Sequence, residues 1–161
     1  MKKLSNILIL TLLFSLATSA QKTKIAVLKK LDSQSEKYGS IAMQIWNLAE
    51  MGYLEEQSSS LLQETLSNEG FTIKKGVANI PTAFIAEYGS GLPIIAILGE
   101  FDALPGLSQQ AIPEKKSANG DAGHACGHHL FGTASAAAAI SVKQWMQSTK
   151  QKGTIRFYGC P

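Results

Sequence analysis

The run Pro93-Ile94-Ile95-Ala96-Ile97-Leu98 is apolar at every position. A strand with one wet face alternates in polarity, whereas an unbroken apolar run suits a strand buried on both faces. Such strands belong to sheets covered by helices, so the expected class is α/β. The run empties into Gly99-Glu100-Phe101-Asp102-Ala103-Leu104-Pro105-Gly106. In open α/β sheets, ligands and catalytic groups gather outside the carboxyl ends of strands. Asp102 stands at such an end. By position alone it is either a turn or capping aspartate or an acid of a site.

The other expected elements fit the same class. Ser33 or Ser35 caps a helix running to about Met51, with Ile41, Ile45, Leu48 and Ala49 at helical spacing beside Trp46. A second helix is expected from about Tyr53, on the apolar stripe Leu54, Leu61, Leu62 and Leu66, with Glu55 and Glu56 in its first turn. Gly70 is its stop. Strands are expected over Phe71–Lys75, Thr82–Tyr88 and Thr154–Tyr158, with a hairpin-like break at Gly89-Ser90-Gly91. Residues 107–119 read as a polar surface loop. Leu130 to about Thr149 reads as a helix whose first half is nearly all small side chains, able to lie close against a sheet. Ile155–Tyr158 comes last in the chain, which predicts an exposed sheet edge there.

All three histidines fall within Gly120-Asp121-Ala122-Gly123-His124-Ala125-Cys126-Gly127-His128-His129, with one of the two cysteines between them. Imidazole and thiolate are preferred zinc ligands. In an extended segment Cys126 and His128, two apart, face the same way and can share an ion. Asp102 could bind the metal or hold a ligating imidazole in its tautomer. A base is also needed, and upstream Glu100 and Glu87 are unconvincing candidates. The rival use of Cys126 is a disulfide with Cys160.

Met1–Ala20 has the layout of a cleaved secretory signal: Lys2 and Lys3, then an apolar centre over residues 7–16, then Thr18-Ser19-Ala20 before Gln21. The apolar run is too short for a confident membrane span, and no stable membrane anchor is expected. Export makes the location periplasmic or extracellular and permits disulfides. Without those twenty residues, 13 basic groups face 12 acidic ones. That balance gives no basis for nucleic-acid binding, which calls for a clustered basic surface. The expected organisation is 1–20 signal, 21–32 lead-in, and 33–161 part of one catalytic domain.

Three segments together resemble a known family. They are Ile85-Ala86-Glu87-Tyr88-Gly89-Ser90-Gly91, Leu98-Gly99-Glu100-Phe101-Asp102-Ala103-Leu104-Pro105-Gly106 and Gly123-His124-Ala125-Cys126-Gly127-His128-His129. The chain resembles the metal-dependent amidohydrolases of the aminoacylase and carboxypeptidase type, which are co-catalytic metallopeptidases. Within them it looks most like the aminobenzoyl-glutamate utilisation protein B group. The resemblance covers about Ser33 to Pro161.

That resemblance implies a zinc-peptidase-like catalytic domain, with a mixed, largely parallel sheet flanked by helices. It implies that Cys126 and His128 are metal ligands and Asp102 an orienting acid. His124 is a less certain ligand, and His129, where many relatives carry Asp, has an open role. The thiolate argues for zinc, with manganese as the alternative. The implied reaction is hydrolysis of an amide in an N-acyl amino acid, short peptide or aminobenzoyl-glutamate-like substrate, by a homodimer in the full-length protein. In the family a pair of glutamates, one of them the general base, follows the segment resembling Phe157–Pro161, and a lid and dimerisation domain follows later. Neither lies in these 161 residues, so the chain is expected to be an N-terminal fragment, inactive alone. The competing expectation is a non-catalytic exported module that binds metal or peptide through the same loop.

Overall fold

The computed structural model describes residues 23–161. The signal expected over residues 1–20 lies outside the described residues. The chain divides into two compact units, residues 1–35 and 36–161. In the first, residues 23–32 of the expected lead-in are helical. No described helix is long and apolar enough to cross a membrane.

The second unit is built on helices α1 (Ser35–Leu48), α2 (Glu56–Asn68) and α3 (His128–Thr149). Its strands are β1 (Thr72–Lys75), β2 (Phe84–Ser90), β3 (Ile94–Glu100), β4 (Leu104–Pro105), β5 (Ala122–Gly123) and β6 (Gly153–Cys160). The main sheet has the order β1-β2-β6-β3. It is mixed: β3 pairs with β6 in parallel, while β1–β2 and β2–β6 are antiparallel. A mixed sheet flanked by helices is the expected class, although the parallel share among the described residues is one pairing.

Three strand-level expectations are corrected by this order. The hairpin-like break after β2 does not join a hairpin, because β6 inserts between β2 and β3. β6, expected at an edge, is central. β3, expected to be buried on both faces, is the edge strand, and Ile94, Ile95 and Leu98 are about half exposed. An apolar run records that a strand is meant to be covered, but not by which segment.

The core lies between one sheet face and the helices. Phe84 and Ala86 of β2 and Ile155 and Phe157 of β6 are fully buried, with Leu62 and Leu66 of α2 and Ile140 of α3. Phe84 stacks near Phe157 and Phe101, at ring separations of 5.5 and 6.2 Å. Glycine makes room for these rings: a Cβ on Gly99 would come 2.7 Å from Phe157. The small side chains of α3 seat it closely, as expected, against the end of β3.

Helix α2 starts three residues later than the apolar pattern suggests. Tyr53 has φ +68°, and Leu54 is 61% exposed, outside the helix. The helix start is satisfied from upstream. The Glu50 carboxylate accepts the Gln57 N–H at 3.0 Å, the Ser58 N–H at 2.8 Å and the Ser58 hydroxyl at 2.7 Å. It therefore meets donors that the first turn leaves unpaired and opposes the positive end of the helix. Gly70 ends α2 as expected, with φ +86° and the Phe71 N–H donating to Leu66 O. Just before it, Glu69 accepts Lys37 Nζ at 3.1 Å and faces Lys143 Nζ at 3.5 Å. Burial works against its charge, yet the two lysines outweigh it and hold the carboxyl below the usual range.

Candidate metal centre

The site forms where β3 ends. Phe101 is fully buried and anchors the strand end in the core, so Glu100 and Asp102 on either side of it share the opposite direction. The following segment is pinned twice. Ala103 N–H donates to Glu50 O at 2.7 Å, and Met51 bridges Ala103. Leu104–Pro105 then pairs antiparallel with Ala122–Gly123, and Gly106 N–H donates to Asp121 O at 2.6 Å. This small ribbon closes the polar loop over 107–119 and brings the histidine segment back beside Asp102.

His128 opens α3 between two carboxylates. Its Nδ1 lies 2.5 Å from Asp102 Oδ1, and its Nε2 lies 3.0 Å from Glu100 Oε2. Among the described residues, Glu100, Asp102 and His128 are the group whose potential ligand atoms all lie within 4.8 Å of one another. Their side chains are 33%, 16% and 17% exposed, so the group is sheltered but reachable. With Nδ1–H donating to Asp102, the Nε2 lone pair faces a carboxylate oxygen. Two acceptors at hydrogen-bond distance repel unless a proton or a cation lies between them. One imidazole and two carboxylates form a donor set that fits zinc or manganese.

The other expected site residues separate from this group. Cys126 is exposed and lies in a turn, with Gly127 N–H donating to His124 O at 3.1 Å. Gly127 has φ +78°, a left-handed conformation that glycine adopts without penalty. The segment is therefore not extended between Cys126 and His128, and the premise that both point one way does not hold. Cys126 and Cys160 are both free thiols. Cys160 pairs in register with Glu100 at the strand ends. Its thiol is pushed up by burial first, then by the charges of Glu100, Asp102 and Glu55.

His124 and His129 are packed under the site. Their rings lie 5.0 Å apart, and Trp46 of α1 lies 4.8 Å from His129 and 6.3 Å from His124. His124 Nε2–H donates to Ile45 O at 3.0 Å. Burial lowers the affinity of both rings for a proton, taking His129 to about 4. In this geometry both rings are buried beneath the site and pack on each other and on Trp46. Sequence reasoning gave Glu100 little weight, although its two-residue spacing from Asp102 at a strand end was the signal. It read Glu55 as a helix-start acid, and no local pattern marks it otherwise.

No protein-family model matches the chain. It is 49% identical over 133 residues to the B subunit of p-aminobenzoyl-glutamate hydrolase from Escherichia coli K12, covering 81% of this chain and 28% of that one. Its fold matches the Bacillus subtilis YXEP protein, a dinuclear metal binding peptidase from the M20 family. That match has a TM-score of 0.55 and 27% identity, and covers 75% of this chain and 35% of the other. An aminobenzoyl-glutamate utilization protein from Klebsiella pneumoniae shares the fold with a TM-score of 0.57 at 14% identity, over 83% and 38% of the two chains. The chain thus spans about 30% of the length of the curated relatives it matches.

Proposed function

Since the chain belongs to the metal-dependent amidohydrolases, as a homologue of the B subunit of p-aminobenzoyl-glutamate hydrolase matched over 28% of that protein's length, we propose that the whole protein hydrolyses the amide of an N-acyl amino acid of the aminobenzoyl-glutamate kind. The observation that carries this reading is His128 held between Asp102 and Glu100 at 2.5 and 3.0 Å. Asp102 accepts the Nδ1 proton and so fixes the ring and its tautomer, the part a carboxylate plays behind a ligating histidine. Nε2 and the Glu100 carboxylate then hold the metal, zinc by preference and manganese as the alternative. Cys126, two residues before His128, is proposed as a further ligand on this side of the centre.

A divalent cation held there supplies polarisation of the substrate carbonyl and a water acidified towards neutral pH. The residues of this chain orient and charge-balance that centre. The general base and the remaining ligands are proposed to lie beyond Pro161, so these 161 residues bind metal without turning over substrate. The protein is further proposed to be exported through residues 1–20 and to act as a homodimer when whole.

The test uses the whole protein. Its mature chain should start at Gln21, and it should cleave p-aminobenzoyl-glutamate in a chelator-sensitive way. Asp102→Asn should lower kcat/KM about 10- to 100-fold, the usual effect of losing a partner behind a metal ligand. Full activity in the presence of excess chelator would overturn the proposal.

A further inference from the structure

Glu55 is fully buried, at 0% exposure. Its Oε1 accepts the Tyr53 N–H at 3.0 Å. Its Oε2 is also buried and has no hydrogen-bond partner among the described residues. A carboxylate in that position is costly unless a donor or a cation meets it. Capping does not explain it. Glu55 stands at the start of α2 but makes no side-chain cap bond, and Glu50 fills that role.

The side chain turns towards the metal centre instead. A Cβ on Gly52 would stand 3.8 Å from Glu55 Oε1, 4.0 Å from Asp102 Oδ2 and 3.9 Å from Pro161 Cβ. Glu55 and Asp102 thus face each other across a residue that has no side chain. The turn that presents Glu55 is held firmly. Met51 bridges Ala103, and the left-handed Tyr53, an uncommon conformation for a bulky residue, is secured by its bond to Glu55.

We propose that Glu55 is a positioning residue of the metal centre: it adds a third negative charge behind Asp102, across Gly52, and so strengthens the hold of His128 and Glu100 on a divalent cation. This rests on the reading of Glu100, Asp102 and His128 as a metal centre. It assigns to that centre an acid from the α1–α2 turn, about fifty residues upstream in sequence.

The test is zinc titration calorimetry on the 161-residue chain under reducing conditions, with thermal melts with and without zinc. Glu55→Gln keeps an oxygen for the Tyr53 N–H and removes the buried charge. It should weaken zinc binding about tenfold while leaving the metal-free melting temperature unchanged or higher. Gly52→Ala meets only ordinary contacts, so it should fold and also weaken binding, by filling the gap. Glu56→Gln, on the exposed neighbour, should change nothing. Zinc affinity equal to wild type in both Glu55→Gln and Gly52→Ala would overturn the proposal and leave Glu55 a purely structural group. Should Glu55→Gln fail to fold, Gly52→Ala decides alone. Absence of zinc uptake by the unmodified chain would instead remove the metal-centre reading itself, and it would be seen before any variant is made.

Discussion

Alanine at Gly132 is expected to destabilise the second unit and to dismantle the site together. A Cβ there would lie 2.6 Å from the Glu100 backbone oxygen and 3.2 Å from Phe101 Cβ. Neither atom is the free end of a flexible side chain. Helix α3 would have to lift off the end of β3. Gly132 lies one turn after His128 on the same helix face, so the lift carries His128 away from Glu100 and Asp102. Overpacking of this kind costs about 1–3 kcal/mol or more, against which the better helix propensity of alanine returns up to about 1 kcal/mol. Gly39 provides the contrast. It lies in α1 with nothing within 4 Å of its added Cβ, so Gly39→Ala should gain up to about 1 kcal/mol. Urea melts of both variants check the opposite signs. A Gly132→Ala chain as stable as wild type would show that α3 is not seated as described.

Acid is expected to loosen the chain through the buried histidines. Burial first, and the nearby His124 second, bring His129 down to about 4, while His124 is also lowered by burial. In the unfolded chain both titrate near the ordinary histidine value. Above that value neither state binds the proton and nothing is lost. As pH falls from about 6.5 towards about 4, the unfolded state takes up protons that the folded state refuses, so stability falls through this window. For His129 the shift, reduced by solvent screening of a partly buried ring, amounts to at most about 3 kcal/mol. Urea melts at pH 7.5 and pH 4.5, compared between wild type and His129→Phe, isolate the effect. The variant should lose less stability on acidification. An identical loss in both would mean that His129 is not the buried neutral ring seen against Trp46.

The sequence and the structure agree most closely where a local pattern decides. The small residues of α3 and the stop at Gly70 follow from spacing or from backbone conformations that few residues accept. They diverge where partners come from far along the chain. The apolar run of β3 says that it should be covered, but its neighbours are set by β6 arriving about sixty residues later. β6 lies inside the sheet although it comes last, because strand order is a tertiary property.

The site divides in the same way. Asp102 and His128 could be found from their motifs, and the structure brings them together. Glu100 was weighed as a base, yet it lies beside Nε2. His124 stood as a less certain ligand and His129 with an open role, and the structure places both rings buried, with Trp46 against His129. Glu55 carried no signal, since only the tertiary turn at Gly52 brings it to Asp102.

Cobalt substitution in the 161-residue chain tests the central claim most directly. One cobalt ion per chain should give visible ligand-field bands, and these should vanish in His128→Ala. A near-ultraviolet thiolate band that Cys126→Ser removes would place Cys126 on the same ion. Stoichiometric cobalt with an unchanged spectrum in His128→Ala would contradict the account, because the ion would then be held elsewhere.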